Sequence, residues 1–377
     1  MKIRLTVVVL GSFAVCACEP RTSKGPIGEP TTYSVADTVL AIGLSDDREG
    51  HALFQVRGAV RNSSGRLYIA DGGSGEIRGY DSDGALVATY GRTGAGPGEH
   101  RGLGGLWFAQ GDTVVSYDGV AGKLIYWSSD GQPNREERVA AADQMIGGGI
   151  PGSSQYLQLT VNRPFQFPVG TSHHDSMTVS VSGSARAVRL GTFGYETRYA
   201  ATLPTGGLIF TPLPLEPKAS YAAGRKAIYV GDGSRWHVRI FAPTGEELAP
   251  IEPTVPRRPL TVEAREAWKK PLIEGMPVEQ RPAMESYLAA LPYSDSLPAY
   301  DALVVDEMDM LWIREFPVPG DSLVTWRVYA EEGRKTGELR LRVRERLFQV
   351  GDDFVVIGDT RADGAEMVMI RRLRRGG

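Results

Sequence analysis

The chain has 377 residues, of which 42% are apolar and 23% charged, so it holds ample material for a packed core and is not a disordered sequence. Its formal charge of −3 argues against general nucleic-acid binding, which rests on neutralising phosphates. Glycine (46) and proline (24) make up about one residue in five, well above the usual ~12%, and their spread along the chain indicates many turns and short elements.

Lys2 and Arg4 precede an apolar run from Leu5 to Val15, and small residues follow it. That is the pattern of a secretion signal, and the run falls short of the ~20 residues that a spanning helix needs. Val15-Cys16-Ala17-Cys18 resembles a bacterial lipobox, in which Cys18 becomes the lipidated first residue; ordinary cleavage after Ala17 fits the same residues. Residues 1–17 therefore read as a lipoprotein signal peptide. Residues 18–34, polar and rich in Pro and Gly, read as a lipidated flexible tether. The expected location is the bacterial cell envelope, with the membrane met through the anchor only. No cysteine follows Cys18, so the body of the protein has no internal disulfide and must be held by packing.

From Gly65 onward short strands recur with tight turns between them. Leu67–Asp71, Glu76–Tyr80 and Leu86–Tyr90 form the first set, and comparable sets follow along the chain. The leading strands of these sets, second strands of the blades they imply, end at positions 71, 118, 160, 232, 315 and 359, at intervals of 47, 42, 72, 83 and 44 residues. Three intervals match the ~40–50 residues of a four-stranded propeller blade, and the other two are one blade plus inserted residues. The pattern predicts an all-β, six-bladed β-propeller over residues 35–373. Its last blade supplies only three strands before Leu373. Val35 to Ile42, with Val39, Leu40 and Ile42 apolar, is expected to pair beside Met367 to Arg371 and close the ring.

A helical insertion is expected at about 256–294, between blades 4 and 5. Thr261 can cap a helix starting at Val262, with Glu263 in its first turn and Pro271 as its stop. A second helix, beginning near Pro277 or Pro282 and ended by Pro292, places Met284, Tyr287, Leu288 and Leu291 on one face. The insertion joins an outer strand to the next inner strand, so it lies on the same face as the loops between second and third strands. There it serves either as a bracket bridging two blades or as a lid over a central pocket.

The pattern Gly65-x-Leu67-Tyr68-Ile69-Ala70-Asp71, followed by Ile77-x-x-Tyr80-Asp81 and Asp83-Gly84, resembles the NHL repeat, and the segment Tyr90 to Glu99 strengthens the likeness. More broadly the chain resembles the uncharacterised six-bladed propeller lipoproteins of bacterial envelopes. The resemblance implies the fold and hardly any activity, since propellers host binding, catalytic and scaffold roles alike.

No catalytic constellation emerges. His173-His174-Asp175 lacks metal-ligand spacing, and adjacent strand residues point to opposite faces, so the segment reads as a surface loop. The glycine-rich stretch 91–104 lacks the Gly-Lys-Ser/Thr ending of a phosphate loop. Asp71, Asp118, Asp232, Glu315 and Asp359 end the second strands on one face. They suit either capping of their own turns or, as the alternative, a carboxylate ring for Ca2+ serving a metal-dependent hydrolase or lactonase in the axial channel. The chain has three asparagines (Asn62, Asn134 and Asn162), all near turns or strand ends, which weakens the lactonase reading. Topology places Glu99, His100, Arg101, Tyr195, Arg198 and Tyr300 near the channel mouth, and Trp236 and Trp268 join them as an amphipathic surface. The function expected is a noncatalytic binding propeller, without cofactor, recognising a protein, peptide or glycan on its helix-bearing face.

Overall fold

The computed structural model describes residues 31–43, 48, 50–139, 141, 143–183, 186–202, 206–361 and 363–376. The signal peptide, Cys18 and the tether up to residue 30 lie outside these residues. β1 runs Thr31–Ile42. A four-stranded sheet follows, made of β2 (Val56–Arg61), β3 (Leu67–Asp71), β4 (Glu76–Tyr80) and β5 (Leu86–Tyr90). The next holds β6 (Leu103–Phe108), β7 (Val114–Asp118), β8 (Lys123–Trp127) and β9 (Pro133–Arg138). The third has five strands: β10 (Gln144–Gly149), β11 (Tyr156–Asn162), β12 (Ser172–Ser182), β13 (Val188–Thr202) and β14 (Leu208–Pro212). The fourth holds β15 (Ser220–Ala223), β16 (Ile228–Gly231), β17 (Val238–Phe241) and β18 (Glu247–Ile251).

Two helices come next, α1 (Val262–Glu274) and α2 (Arg281–Ala290). After them run β19 (Tyr300–Val305), β20 (Leu311–Glu315), β21 (Leu323–Tyr329) and β22 (Lys335–Arg342). The last strands are β23 (Arg346–Val350), β24 (Phe354–Thr360) and β25 (Glu366–Arg375). Together with β1 these seven strands form one eight-stranded sheet, in the order β19-β20-β21-β22-β1-β25-β24-β23.

Six separate sheets are expected from the repeat, and the described residues form five. The reason is the length of β1. It starts at Thr31, four residues inside the segment read as tether, and Thr31 and Thr32 bridge in parallel to Gly337 and Glu338 of β22. The remainder of β1 runs antiparallel to β25, with Leu40 opposite Ile370, Ala41 opposite Met369 and Ile42 opposite Val368. Register shifts around Thr38 mark a bulge that lets one strand serve both neighbours.

Second strands such as β3, β7 and β16 are buried along their whole length, because both faces are covered by neighbouring sheets. This explains their unbroken apolar runs, where a half-exposed strand would alternate. The core is accordingly divided among interfaces between consecutive strand groups. One cluster joins Ile42, Leu40, Val356 and Val368 to Leu67 and Ile69. Others join Tyr90 to Ile125, Tyr117 to Tyr156, Val179 to Ile228, Ile240 to Ile313, and Trp326 to Ile357. The inner strands meet in the same sequence: β2 lies against β6, β6 against β10, β10 against β15, β15 against β19, β19 against β23, and β23 against β2. Close approach decides single residues here. A Cβ at Gly231 would fall on the Tyr300 hydroxyl, and one at Gly149 on the Trp107 indole.

Pro271 does not stop α1, as the sequence suggests; it sits inside the helix, which runs on to Glu274 and ends where the Gly275 N–H bonds the Pro271 carbonyl. Thr261 caps α1 as expected, its Oγ1 accepting from the Ala264 N–H at 3.2 Å. Leu288 and Leu291 bury against Leu213, with Met284, Tyr287, Trp268 and Tyr199 packed around them. The helices therefore bear down on the end of the third sheet. The His173-His174-Asp175 segment lies within β12, not in a surface loop.

The pairing of β1 makes a direct prediction. Ile42 is fully buried and Val39, three residues away, is 58% exposed. Ile42→Ala should cost ~2–4 kcal/mol in urea unfolding of the purified chain, and Val39→Ala under ~0.5 kcal/mol. Equal effects would contradict the register of β1 on β25.

Candidate functional site

The loops entering the inner strands and those leaving the second strands share one face with α1 and α2. On it, a groove of about 660 Å3 runs between α1, the β14–β15 connection and the β20–β21 loop. Trp268 and Pro271 come from α1, Leu213 to Glu216 from the connection, and Phe316-Pro317-Val318-Pro319 from the loop. Five prolines, at 214, 271, 298, 317 and 319, line it. Proline restricts the backbone and removes N–H donors, so these walls are stiff and poor in hydrogen-bonding groups. With Trp268 and Phe316 they make an apolar, pre-shaped surface of the kind that takes a ligand without much ordering.

Polar groups enter at the floor. Asp301, the second residue of β19, accepts from Arg314 Nη1 at 2.8 Å, while Arg314 Nη2 donates to the Val343 carbonyl at 2.6 Å. Asp301 Oδ1 and Arg314 Nε are buried without a partner among the described residues. Burial pushes the Asp301 carboxyl up to about 6, against the pull of Arg314 and the weaker pull of Arg258. Beside this pair Arg258 stands 3.7 Å from Glu315, which also holds Arg327, and the Arg327 guanidinium lies 5.0 Å over the Trp236 ring. Tyr300 is buried beneath the floor, its hydroxyl donating to the His237 carbonyl at 2.8 Å.

The residues singled out from the sequence are not brought to one place. Trp268 and Tyr300 line the groove, and Trp236 packs on Tyr300 at a ring distance of 5.9 Å. Tyr195 lines a separate cleft of about 280 Å3 with Glu196, Thr197 and Asp232. Glu99 and Arg101 line a third, polar cleft of about 370 Å3 with Lys123 and Glu136. Within it Glu99 staples its own loop, pairing with Arg92 at 2.7 Å and accepting from the Gly96 N–H at 2.7 Å. His100 and Arg198 are corrected outright as surface residues: they are 1% and 5% exposed. His100 is bonded to the Gly75 carbonyl and the Ser116 hydroxyl, both at 2.8 Å. Arg198 makes a two-pronged pair with Asp175 at 2.6 and 2.9 Å. Each is placed by topology near the channel mouth, but its side chain turns inward to a partner that periodicity alone does not reveal.

The five strand-end acids are spread over their own turns. Asp71 accepts from the Gly73 N–H and pairs with Arg78; Asp118 accepts from the N–H groups of Arg101, Gly102, Val120 and Ala121. Asp232 accepts from Ser234, Glu315 pairs with Arg327 and Arg258, and Asp359 pairs with Arg344. Among the described residues no group of three or more His, Cys, Asp or Glu side chains is arranged to hold a metal ion. Sequence reasoning missed Asp301, Arg314 and the Phe316–Pro319 loop. The proline spacing in that loop is the one signal that could have drawn attention to it.

No protein-family model and no curated protein sequence matches this chain. Solved structures do resemble it. A member of the DUF4221 family from Bacteroides vulgatus aligns with a TM-score of 0.52 at 9% identity, over 92% of this chain and 99% of that one. A protein from Bacteroides fragilis described as exported aligns at 0.45 and 12% identity, over 92% and 95%. The calcium-binding protein regucalcin from Agrobacterium tumefaciens aligns at 0.42 and 11% identity, over 92% and 97%. Identities this low speak for the fold alone. The architecture itself, antiparallel sheets of mostly four strands whose inner strands pack in a closed sequence, is that of the β-propeller class, and the likeness to the DUF4221 protein agrees with it in overall fold.

The raised Asp301 carboxyl has a measurable sign. A carboxyl that binds its proton more tightly in the folded state than the ordinary 3.8 stabilises the fold fully below about pH 4, and that contribution is lost as pH rises towards 6. With the side chain 26% exposed, the loss should be ~1–3 kcal/mol. Urea unfolding of the wild type from pH 4 to 6.5 should show this fall relative to Asp301→Asn, in which it disappears. Parallel curves for the two proteins would count against the buried, partly unsatisfied placement of Asp301.

Proposed function

We propose that this protein is an envelope-anchored, noncatalytic binding propeller whose helix-bearing face recognises a peptide, a segment of a protein or a glycan. The observation that carries the reading is the 660 Å3 groove beside α1, walled by Trp268, Phe316 and five prolines. Rigid apolar walls over a charged floor suit an extended chain that lays apolar rings or backbone against the walls and offers donors to the floor. At the floor Asp301 and Glu315 are each held by arginines.

The reading includes six blades. Six inter-group cores and a closed sequence of neighbouring inner strands support that count, with the eight-stranded sheet as two blades spliced by β1. It also includes an NHL-like repeat, export under the signal at residues 1–17, and lipidation at Cys18. Among the described residues no helix is long and apolar enough to cross a membrane.

The test is a peptide and glycan array probed with the purified protein, with hits quantified by titration. Ligands of the groove should lose at least tenfold in affinity with Trp268→Ala and with Val318→Asp, while both variants keep the wild-type thermal transition within a few degrees. Binding that neither substitution alters would move the site elsewhere. An array with no hits would remove the reading.

A further inference from the structure

On the face opposite the helices the far ends of the six inner strands converge. Residues from β2, β6, β10, β19 and β23 or their following turns, with Arg225 after β15, enclose a cavity of about 420 Å3. Its wall is of two kinds. Trp107 and Phe108 are half-buried and stand with Val60, Val305 and Val350 as an apolar side. The Trp107 indole reaches its position by lying where a side chain at residue 149 would stand, and that residue is glycine.

The other side is polar, and most of its groups are already engaged. Gln349 accepts from the Arg61 N–H at 2.6 Å and donates to the Arg61 carbonyl at 3.1 Å and to Glu307 Oε1 at 2.8 Å. The Arg61 guanidinium is stacked over the Phe354 ring at 4.6 Å. Arg225 donates to the Glu307 carbonyl and stands 3.5 Å from Asp309. Asp306 accepts from the N–H groups of Met308 and Met310 and from the Trp312 indole. Both cations thus have partners. Glu307 has one oxygen fixed by Gln349, while its second oxygen makes no hydrogen bond among the described residues. Counting Asp112, the lining carries four acids against two arginines, so the local potential favours a cation.

We infer that this axial pocket is a second ligand site, for a small molecule carrying a protonated primary amine on an apolar or aromatic body, with the ammonium at Glu307 and the body against Trp107 and Phe108. Four acids outnumber the two arginines, which disfavours an anion, and a wholly apolar ligand would cover the free Glu307 oxygen without compensation. Burial already pushes the Glu307 carboxyl up, against Gln349, Arg61 and Arg225 and with the help of Asp306; an ammonium group adds to the lowering influences.

Calorimetric titration of the purified chain at pH 7.5 with 2-phenylethylamine, 2-phenylethanol and phenylacetate tests this. One equivalent of the amine should bind saturably, the alcohol at least tenfold more weakly and phenylacetate undetectably. Glu307→Gln should weaken the amine at least tenfold and leave the alcohol within twofold, and Trp107→Leu should weaken both. Trp268→Ala, on the opposite face, should change none of them, so the outcome is separable from that of the groove. The amine-to-alcohol ratio needs only the wild type and stands even if a variant fails to fold. Absence of saturable amine binding, equal binding of the alcohol or the acid, or indifference to both Glu307→Gln and Trp107→Leu would each overturn the assignment.

Discussion

The backbone ladder between the first and the last described strands is the constraint on which the remaining geometry rests. The described residues contain no cysteine, so no disulfide ties one sheet to another. β1 and β25 are instead joined by an antiparallel ladder from Tyr33 opposite Arg375 to Ile42 opposite Val368. The ladder brings residues more than 300 positions apart into register, and Ile42 and Leu40 then form one core with Leu67 and Ile69 of the first sheet. Loop-closure entropy grows only slowly with chain length, so pairing of the two ends is opposed by far less than its sequence separation suggests. The last strand group is held against the first sheet by this ladder and the core it shares.

Much of that framework was legible in the sequence. Runs such as Leu67-Tyr68-Ile69-Ala70 and Val114-Val115 are apolar at every position because sheets cover both faces, and turn glycines punctuate them at blade spacing. The pairing of the first strand with the last followed from a missing partner at the other end. What stayed hidden was set by tertiary contact. The merging of two strand groups depends on two residues, Thr31 and Thr32, bridging to β22, and they look like any polar linker. Pro271 continues a helix because α1 has only one further turn to make, which no local rule anticipates.

The site was less legible than the fold, for a related reason. Topology assigns a residue to a face, but whether its side chain turns out or in depends on a partner from another sheet. Arg198 is consumed by Asp175 and His100 by Ser116, whereas Trp268 keeps part of its ring in the groove. Asp301 shows the converse: a single acid in an otherwise unremarkable strand becomes the main electrostatic feature of the floor once Arg314 is the sole side chain bonded to it and burial raises the cost of its charge.

The direction in which β1 enters the fold has a consequence for how the molecule hangs. Thr31 and Tyr33 lie beside Gly337 and Arg375, at the end of the strands that carries the axial pocket. With a lipid on Cys18, the thirteen residues from Cys18 to Pro30 reach at most ~45 Å. A lipid there, as proposed, would tether the body by the face that carries the axial pocket, opposite α1 and α2. The start of a single strand thus fixes the end of the body from which the preceding residues leave.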